Sequence, residues 1–185
     1  MESSTKQLTD IKQLAVAGHR LRIAGTIGES IVDGEGYRYT IFTQGCPHHC
    51  FGCHNPQTHD FQGGRLVEPA RLLRDILANP LLEGVTFSGG EPFCQARLLA
   101  ELARELHSNG LDIWCYTGYT YEVLQGSRQQ AVRDLLRQVD VLVDGPFIEA
   151  QRDISLRFRG SSNQRLIDMP ASRSAGGMVL YKEPQ

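Results

Sequence analysis

Residues 45–55 read GCPHHCFGCHN and carry three cysteines, Cys46, Cys50 and Cys53, in the spacing C-x3-C-x2-C. No fourth cysteine follows nearby, because the two that remain, Cys94 and Cys115, stand far along the chain. Thiolates gathered in this way suit a zinc ion or an iron–sulfur cluster. The stretch therefore predicts a metal centre that is one thiolate short of the usual four.

Two kinds of metal centre fit this spacing. A structural zinc ion could take its fourth ligand from a nearby histidine, namely His48, His49, His54 or His59. Such zinc sites usually draw on two separated pairs of ligands, and no second pair is present. A 4Fe-4S cube normally takes four thiolates, so three would leave one iron open to a small molecule. We favour the cluster and keep zinc as the alternative.

The composition narrows the class of protein. The chain has 185 residues, a formal charge of −2 and no long basic run, so we expect one domain and no nucleic-acid partner. No apolar stretch approaches the roughly 20 residues of a membrane span. The polar start, MESSTKQLTD, fits neither a signal peptide nor a transit peptide. Clustered cysteines in such a chain indicate a metal or redox role in a reducing compartment, so we predict a cytoplasmic protein without a membrane partner.

Hydrophobic periodicity predicts a weakly organised lead-in over residues 1–20, with a short helix around 11–17, and a single domain over residues 21–185. Strands and helices alternate in that domain. The predicted strands are residues 37–45, 84–88, 111–118 and 139–145, with a last one at 178–181. The predicted helices begin at Pro69, run through 98–106, and cover about 127–138, the last with Ser127 and Gln130 in capping-box spacing.

This alternation predicts an α/β fold made of right-handed βαβ units with a parallel sheet. A closed eight-fold barrel needs about 250 residues, so an open barrel or an open doubly wound sheet is expected. In both folds the chemistry lies at the carboxyl ends of the strands. The cysteine loop, residues 46–64, and the Gly-Gly-Glu-Pro segment, residues 89–92, both follow predicted strands. We therefore expect them on one edge of the sheet.

The combination of motifs resembles a known family. The cysteine spacing at the end of one strand, with Gly-Gly-Glu-Pro after the next, is similar to the radical S-adenosylmethionine (SAM) superfamily. Four longer segments resemble the activating enzymes of anaerobic (class III) ribonucleotide reductases, and the resemblance covers about residues 22–168. These segments are ESIVDGEGYRYTIFTQGCPHHCFGCHNPQTHDF (29–61), SGGEPF (88–93), DVLVDGPF (140–147) and LRFRGSSNQR (156–165). The fold this implies is an incomplete (open) βα barrel of the radical-SAM type.

The resemblance implies an enzyme with two cofactors. Cys46, Cys50 and Cys53 would hold a 4Fe-4S cluster, and SAM would bind its open iron through amino and carboxylate groups. An electron from a reduced flavodoxin-like donor would cleave SAM to methionine and a 5′-deoxyadenosyl radical. That radical would remove a hydrogen from a backbone glycine of anaerobic ribonucleotide reductase, leaving a glycyl radical on the partner.

The same resemblance implies contacts to the methionine end of SAM. Gly89 and Gly90 would let backbone approach it, and Glu91 or nearby backbone would accept a hydrogen bond from its ammonium group. Pro92 completes this predicted set. The alternative without a ligand is that the Gly-Gly-Glu-Pro segment is simply a tight turn after a strand.

The contacts to adenine depart from the superfamily pattern. Many members place an aromatic residue directly before the third cysteine, but this chain has Gly52 there, with Phe51 one position earlier. We therefore predict that the adenine lies against the backbone of Gly52, Cys53 and His54.

Several other residues are given structural roles. Cys94 and Cys115 are interpreted as small buried residues, because free cysteines are often buried. Arg157, Arg159 and Arg165 form a local basic cluster, which is either a solvated face or a docking surface for the reductase.

Two alternative functions remain open. The chain could activate a different glycyl radical enzyme, of the pyruvate formate-lyase type. It could also be a non-catalytic iron–sulfur or zinc protein, although a pure electron carrier would more often saturate its cluster with four thiolates.

Overall fold

The structure is a computed structural model that describes residues 20–183. Most of the predicted lead-in, including the short helix around residues 11–17, lies outside the described residues. Within the described part, none of the helices is long and apolar enough to cross a membrane.

The described strands form one seven-stranded sheet in the order β3-β1-β2-β4-β5-β6-β7. Four neighbouring strands at its centre, β2, β4, β5 and β6, run parallel to one another. The strands are β1 (Leu21–Ser30), β2 (Arg38–Thr43), β3 (Arg65–Val67), β4 (Gly84–Gly89), β5 (Asp112–Tyr116), β6 (Val141–Asp144) and β7 (Arg165–Asp168). The α/β class and the parallel centre of the sheet are confirmed.

Helices follow the parallel strands along the chain. They are α1 (Pro69–Leu77), α2 (Ala96–Ser108), α3 (Tyr121–Gln125), α4 (Gln130–Gln138) and α5 (Met169–Ala175). Pro69 opens α1 at a position where a missing N–H costs nothing, and Asp168 caps α5 by accepting a hydrogen bond from the backbone N–H of Ala171. Each of α1, α2 and α4 buries one apolar stripe and exposes the opposite face.

The prediction of an all-parallel sheet is wrong at both edges. β1 pairs antiparallel with β2 and β3, and β7 pairs antiparallel with β6. The β1–β2 connection, residues 31–37, is shorter than the crossover of about a dozen residues that parallel strands require. The connection from β6 to β7 contains a single 3-10 turn, Glu149–Gln151, and no crossover helix in its described course. Both edge strands therefore return beside their neighbours in the opposite direction.

The two faces of the sheet are covered differently, because successive strand residues point to opposite sides. One face packs against the helices and forms the main core, in which Ile41, Phe87, Ile113 and Leu142 are fully buried. The other face carries a smaller aromatic and aliphatic cluster, made of Trp114, Val141, Val143 and Leu166 with Tyr116, Phe158 and Tyr181 packed against it. This second face adjoins the cavity described below.

A buried arginine closes the amino ends of the central strands. The Arg38 side chain is 0% exposed and donates to the Thr86 hydroxyl at 2.8 Å, to the Glu35 carbonyl at 2.8 Å and to the Asp112 carboxylate. Its guanidinium also lies 5.5 Å from the ring centre of Trp114. These contacts fill the second face of the sheet at the end away from the cysteine loop.

Two local predictions from the sequence are wrong. The capping box is absent, because α4 begins at Gln130 and the Ser127 hydroxyl instead accepts from the Gln129 backbone. The predicted last strand at 178–181 is reduced to an isolated bridge between Leu180 and Ile167. The ten-residue strand β1 was not among the predicted strands. Four short elements, β3, α3, β7 and α5, were also not predicted, because each is too short for its periodicity to stand out.

An ion pair between α2 and the start of β6 makes stability depend on pH. His107 Nε2 lies 2.8 Å from an Asp140 carboxylate oxygen that also accepts from the Ile113 backbone N–H. The hydrogen bond to Asp140 raises the pKa of His107. Burial opposes the charged form of Asp140, yet the bonds from His107 and Ile113 lower the pKa of Asp140.

We predict that His107→Gln destabilises the protein more at about pH 6 than at about pH 9. A raised histidine pKa means that the native state holds the proton more tightly. The stabilisation is therefore complete below the ordinary value of about 6.5 and disappears as the pH rises through the raised pKa. Urea unfolding of wild type and variant at both pH values measures this, and an equal difference at both would contradict it.

Candidate active site

A cavity of about 680 Å³ lies at the carboxyl ends of the parallel strands. This volume falls within the range of about 300–1,000 Å³ that holds small ligands and cofactors. Its walls come from the segments that follow β2, β4, β5 and β6, together with Val32 and Asp33 before β2. The cysteine loop and the glycine pair after β4 therefore share one edge of the sheet, as predicted.

All three clustered cysteines line this cavity. They are free thiols, with Cys46 buried and Cys50 and Cys53 half-buried. Burial raises the pKa of the Cys46 thiol, which favours its protonated form until a metal binds. Two backbone bonds hold the base of the loop, from Cys46 N–H to the His59 carbonyl at 3.2 Å and from Gly45 N–H to the Thr58 carbonyl at 2.8 Å.

The three thiols match the donor set of a 4Fe-4S cluster with one open iron. A single zinc ion draws its ligands to one point. A cube instead takes each thiolate at a different iron, so its three cysteines stay apart around a shared space. Three free thiols around one cavity match that requirement.

The residues predicted to contact SAM divide into two groups. Cys53, His54, Gly89 and Gly90 line the cavity, whereas Gly52, Glu91 and Pro92 do not. Gly90 is held in place by a hydrogen bond from its N–H to the Thr43 carbonyl at 2.8 Å. The glycine pair after β4 thus presents backbone to the cavity beside the cysteine loop.

Glu91 is buried behind the cavity wall rather than facing into it. Its side chain is 0% exposed, and its carboxylate accepts from Phe93 N–H at 3.0 Å, Gly118 N–H at 3.0 Å and the Thr117 hydroxyl at 2.9 Å. The His48 ring nitrogen Nε2 lies 2.8 Å from the same carboxylate. The carboxylate therefore has its partners within the chain.

The backbone conformation at Gly52 favours glycine. Its φ is +72°, and a Cβ at this position would lie 2.1 Å from the Glu149 carboxylate and 3.2 Å from the Phe147 ring. The Phe147 ring packs against the His54 ring at a tilt of 47°, with 4.9 Å between the ring centres, and both rings line the cavity. The aromatic wall near the third cysteine therefore comes from the segment after β6. Phe51 is 85% exposed and lies outside this wall.

Several residues that line the cavity were not predicted from the sequence. The most informative are Asp33, Tyr116, Thr117, Phe147, Phe158 and Gln164. Tyr116 and Thr117 lie at the end of β5, where the rule for parallel strands could have indicated them. Phe147 closely follows β6, so the same rule could have indicated it. Phe158 had no comparable signal, because it lies far along the connection between β6 and β7.

The carboxylate of Asp33 and the phenol of Tyr116 both line the cavity. Asp33 accepts from the Ser30 hydroxyl at 2.6 Å and from the Thr40 hydroxyl at 3.0 Å. Burial, with a contribution from Asp33, raises the pKa of the Tyr116 phenol, so this group stays protonated and able to donate.

Of the two cysteines predicted to be buried structural residues, Cys115 is confirmed and Cys94 needs correction. Cys94 is exposed in a 3-10 helix, Pro92–Gln95, and is not a buried structural residue. Cys115 lies fully buried in the main core. The helical turn that follows Glu91 carries the Cys94 side chain outward, which the spacing of cysteines alone did not indicate.

The three arginines of the predicted basic cluster have different partners within the chain. Arg165 pairs with Asp144 and Glu122, and Arg159 pairs with Glu183 at 2.9 Å. Arg157 lies over the ring of Phe158. The charges of Arg159 and Arg165 are thus balanced within the chain.

Arg165 anchors the segment that carries Phe147 and Phe158. Asp144 at the end of β6 is 1% exposed and accepts from Arg165 Nε at 2.9 Å and from Tyr121 N–H at 2.7 Å. Arg165 also binds both carboxylate oxygens of Glu122, at 3.1 and 2.9 Å, and lowers the pKa of Glu122 to about 2. The guanidinium therefore ties β6, β7 and α3 together.

The comparisons with known proteins agree with this site. Residues 32–167 match the family described as a 4Fe-4S single cluster domain. A Vibrio cholerae protein called anaerobic ribonucleoside-triphosphate reductase-activating protein is 37% identical over 142 residues, 72% of this chain and 89% of that protein. Proteins of the same name from Escherichia coli K12 and Enterobacteria phage T4 are 37% and 33% identical, over 72% and 73% of this chain and 90% and 86% of their own.

Among solved structures, QueE from Escherichia coli matches with a TM-score of 0.45 and 20% identity, over 62% of this chain and 57% of that chain. Similarity at that level supports no conclusion about fold or chemistry.

We predict that Arg165→Ala lowers the free energy of unfolding by about 1–3 kcal/mol, because it leaves the buried Asp144 carboxylate without its charged partner. Glu122→Gln is the matched control and should cost less than about 1 kcal/mol, since the Glu122 carboxylate is mostly exposed. Urea denaturation near neutral pH measures both, and equal losses would contradict the assignment.

Proposed function

The chain belongs to the family of anaerobic ribonucleoside-triphosphate reductase-activating proteins, and from this membership we propose that it generates the glycyl radical of an anaerobic ribonucleotide reductase. The observation that carries the proposal is the set of three free thiols around one cavity, next to the backbone of Gly89 and Gly90. It is an enzyme of the radical-SAM type. Its cofactors are a 4Fe-4S cluster and SAM, which when bound supply the electron transfer and bond cleavage that remove a hydrogen from the partner's glycine.

The residues of this chain bind and orient the cofactors. Cys46, Cys50 and Cys53 hold the cluster, and the absent fourth thiolate leaves room for SAM beside it. The backbone of Gly89 and Gly90 faces the same space, where it would contact the methionine end of SAM.

We assign a different part of the cavity wall to the adenine end of SAM. Backbone of Cys53 and His54, with the ring of Phe147, forms the part of the cavity next to the third cysteine. Gly52 lies behind this wall, and its lack of a side chain leaves room for Glu149. Leu156 and Phe158 add apolar surface that reduces access of water to the reacting groups.

We also propose that residues 21–185 form one radical-SAM domain whose sheet is an incomplete βα barrel. The parallel centre of the sheet supports this, as does the inner cluster around Trp114 on the face away from the main core. An unclosed barrel leaves a wide mouth for a loop of a protein partner. A flavodoxin-like protein supplies the electron, and the cytoplasm supplies the reducing conditions that keep the thiols free.

The decisive experiment combines anaerobically reconstituted protein, dithionite and SAM, with and without an anaerobic ribonucleotide reductase. We expect 5′-deoxyadenosine by chromatography, and a glycyl radical in the electron paramagnetic resonance (EPR) spectrum of the reductase. A parallel sample with pyruvate formate-lyase tests the alternative partner and should stay silent. Absence of 5′-deoxyadenosine, together with about one zinc ion per chain, would refute the radical chemistry.

We predict that Cys50→Ala removes most of the bound iron, because a cube held by two thiolates is poorly retained. Cys94→Ala is the matched control, since Cys94 is exposed and does not line the cavity. Iron and sulfide content after reconstitution measures the effect. A Cys50→Ala protein with a full cluster would show that the ligand assignment is wrong.

A further inference from the structure

The segment between Cys46 and Cys50 contains two adjacent histidines with different surroundings. The His48 side chain is 17% exposed and lies against Glu91, whereas the His49 ring packs edge-on against His59 with 5.1 Å between centres. His49 also has a positive φ of 48°, which turns the chain so that the two side chains diverge. Only one of the pair therefore reaches the buried carboxylate.

The residues that follow β5 pack against the His48 ring. This ring meets the Tyr119 ring edge-on, with centres 4.5 Å apart. A Cβ added to Gly118 would lie 2.4 Å from the His48 ring, so this position must be glycine for the ring to lie where it does. Three features thus define the position of one side chain: the Glu91 carboxylate, the bare Gly118 backbone and the face of Tyr119.

The Glu91 carboxylate joins three strand ends. Its own backbone follows β4, its partners Thr117 and Gly118 follow β5, and His48 belongs to the loop that follows β2. Three donors, from Phe93, Thr117 and Gly118, and the His48 ring nitrogen surround this carboxylate.

We infer that His48 and Glu91 are positioning residues, which fix the turn between the first two cluster cysteines relative to the carboxyl ends of β4 and β5. This inference rests on the proposed function, since it assumes that Cys46 and Cys50 hold the cluster. A thiolate can bind its iron at low cost only if its backbone is already in place. The contact of His48 with Glu91 supplies that restraint from outside the ligand set.

The test uses variants that disturb the same contact from two sides. His48→Phe keeps a ring but loses the donor, and Gly118→Ala keeps both partners but displaces the ring. His48→Gln retains an N–H donor and is the conservative rescue. His49→Phe is the matched control, because His49 neighbours the same cysteines and makes no contact with Glu91. Substitution of Glu91 itself is avoided because its burial makes misfolding the expected result.

Two measurements separate positioning from general stability. The first is the rate at which reconstituted cluster is lost to an iron chelator, and the second is the EPR spectrum of the reduced cluster before and after SAM is added. Partners that orient metal ligands typically change metal affinity roughly 10-fold or more when they are removed. We expect faster iron loss and an altered spectrum for His48→Phe and Gly118→Ala, near-normal values for His48→Gln, and wild-type values for His49→Phe.

The outcomes distinguish this inference from the proposed function. Wild-type iron loss and spectra in both His48→Phe and Gly118→Ala would overturn the inference while leaving the function intact. An equal defect in His49→Phe would overturn it too, because the effect would then belong to the loop in general. A wild-type chain that forms no cluster at all would instead refute the proposed function.

Discussion

The arrangement of the site depends on the burial of one carboxylate. Glu91 has no contact with solvent, and a buried carboxylate is tolerated only when hydrogen-bond donors surround it. The donors come from three segments that are distant in the sequence, represented by His48, Phe93 and Thr117. Satisfying this single group therefore requires the loops after β2, β4 and β5 to meet. The cavity lies directly beside this meeting point.

The two ends of the sheet have opposite characters. At the amino ends of the strands, the Arg38 guanidinium donates hydrogen bonds to Thr86, Glu35 and Asp112 and fills the space next to Trp114. At the carboxyl ends, the strands and the segments that follow them enclose a cavity of about 680 Å³. A parallel sheet places all its strand ends together, so one end can be packed for stability while the other receives a ligand.

Local signals predicted the elements that are long and strongly patterned, such as β2, α2 and the cysteine loop. They failed where partners distant in sequence decide the outcome. Ser127 has the spacing of a capping box, yet α4 starts after it. Arg159 and Arg165 stand together in the sequence as a basic cluster, yet each pairs with a different acidic group. Neither outcome can be predicted from neighbouring residues, because the competing contacts come from other elements.

The sequence by itself determined the α/β class, the cysteine spacing, and the expectation that the thiols and the glycine pair share one edge of the sheet. Those features follow from periodicity and from the rule that parallel strands end together. Only the tertiary structure decided that Glu91 turns away from the cavity, that Phe147 supplies the aromatic wall in place of a residue at Gly52, and that the edge strands are antiparallel. Each of these depends on which distant groups satisfy a buried polar atom or fill a gap, and spacing along the chain carries no information about that.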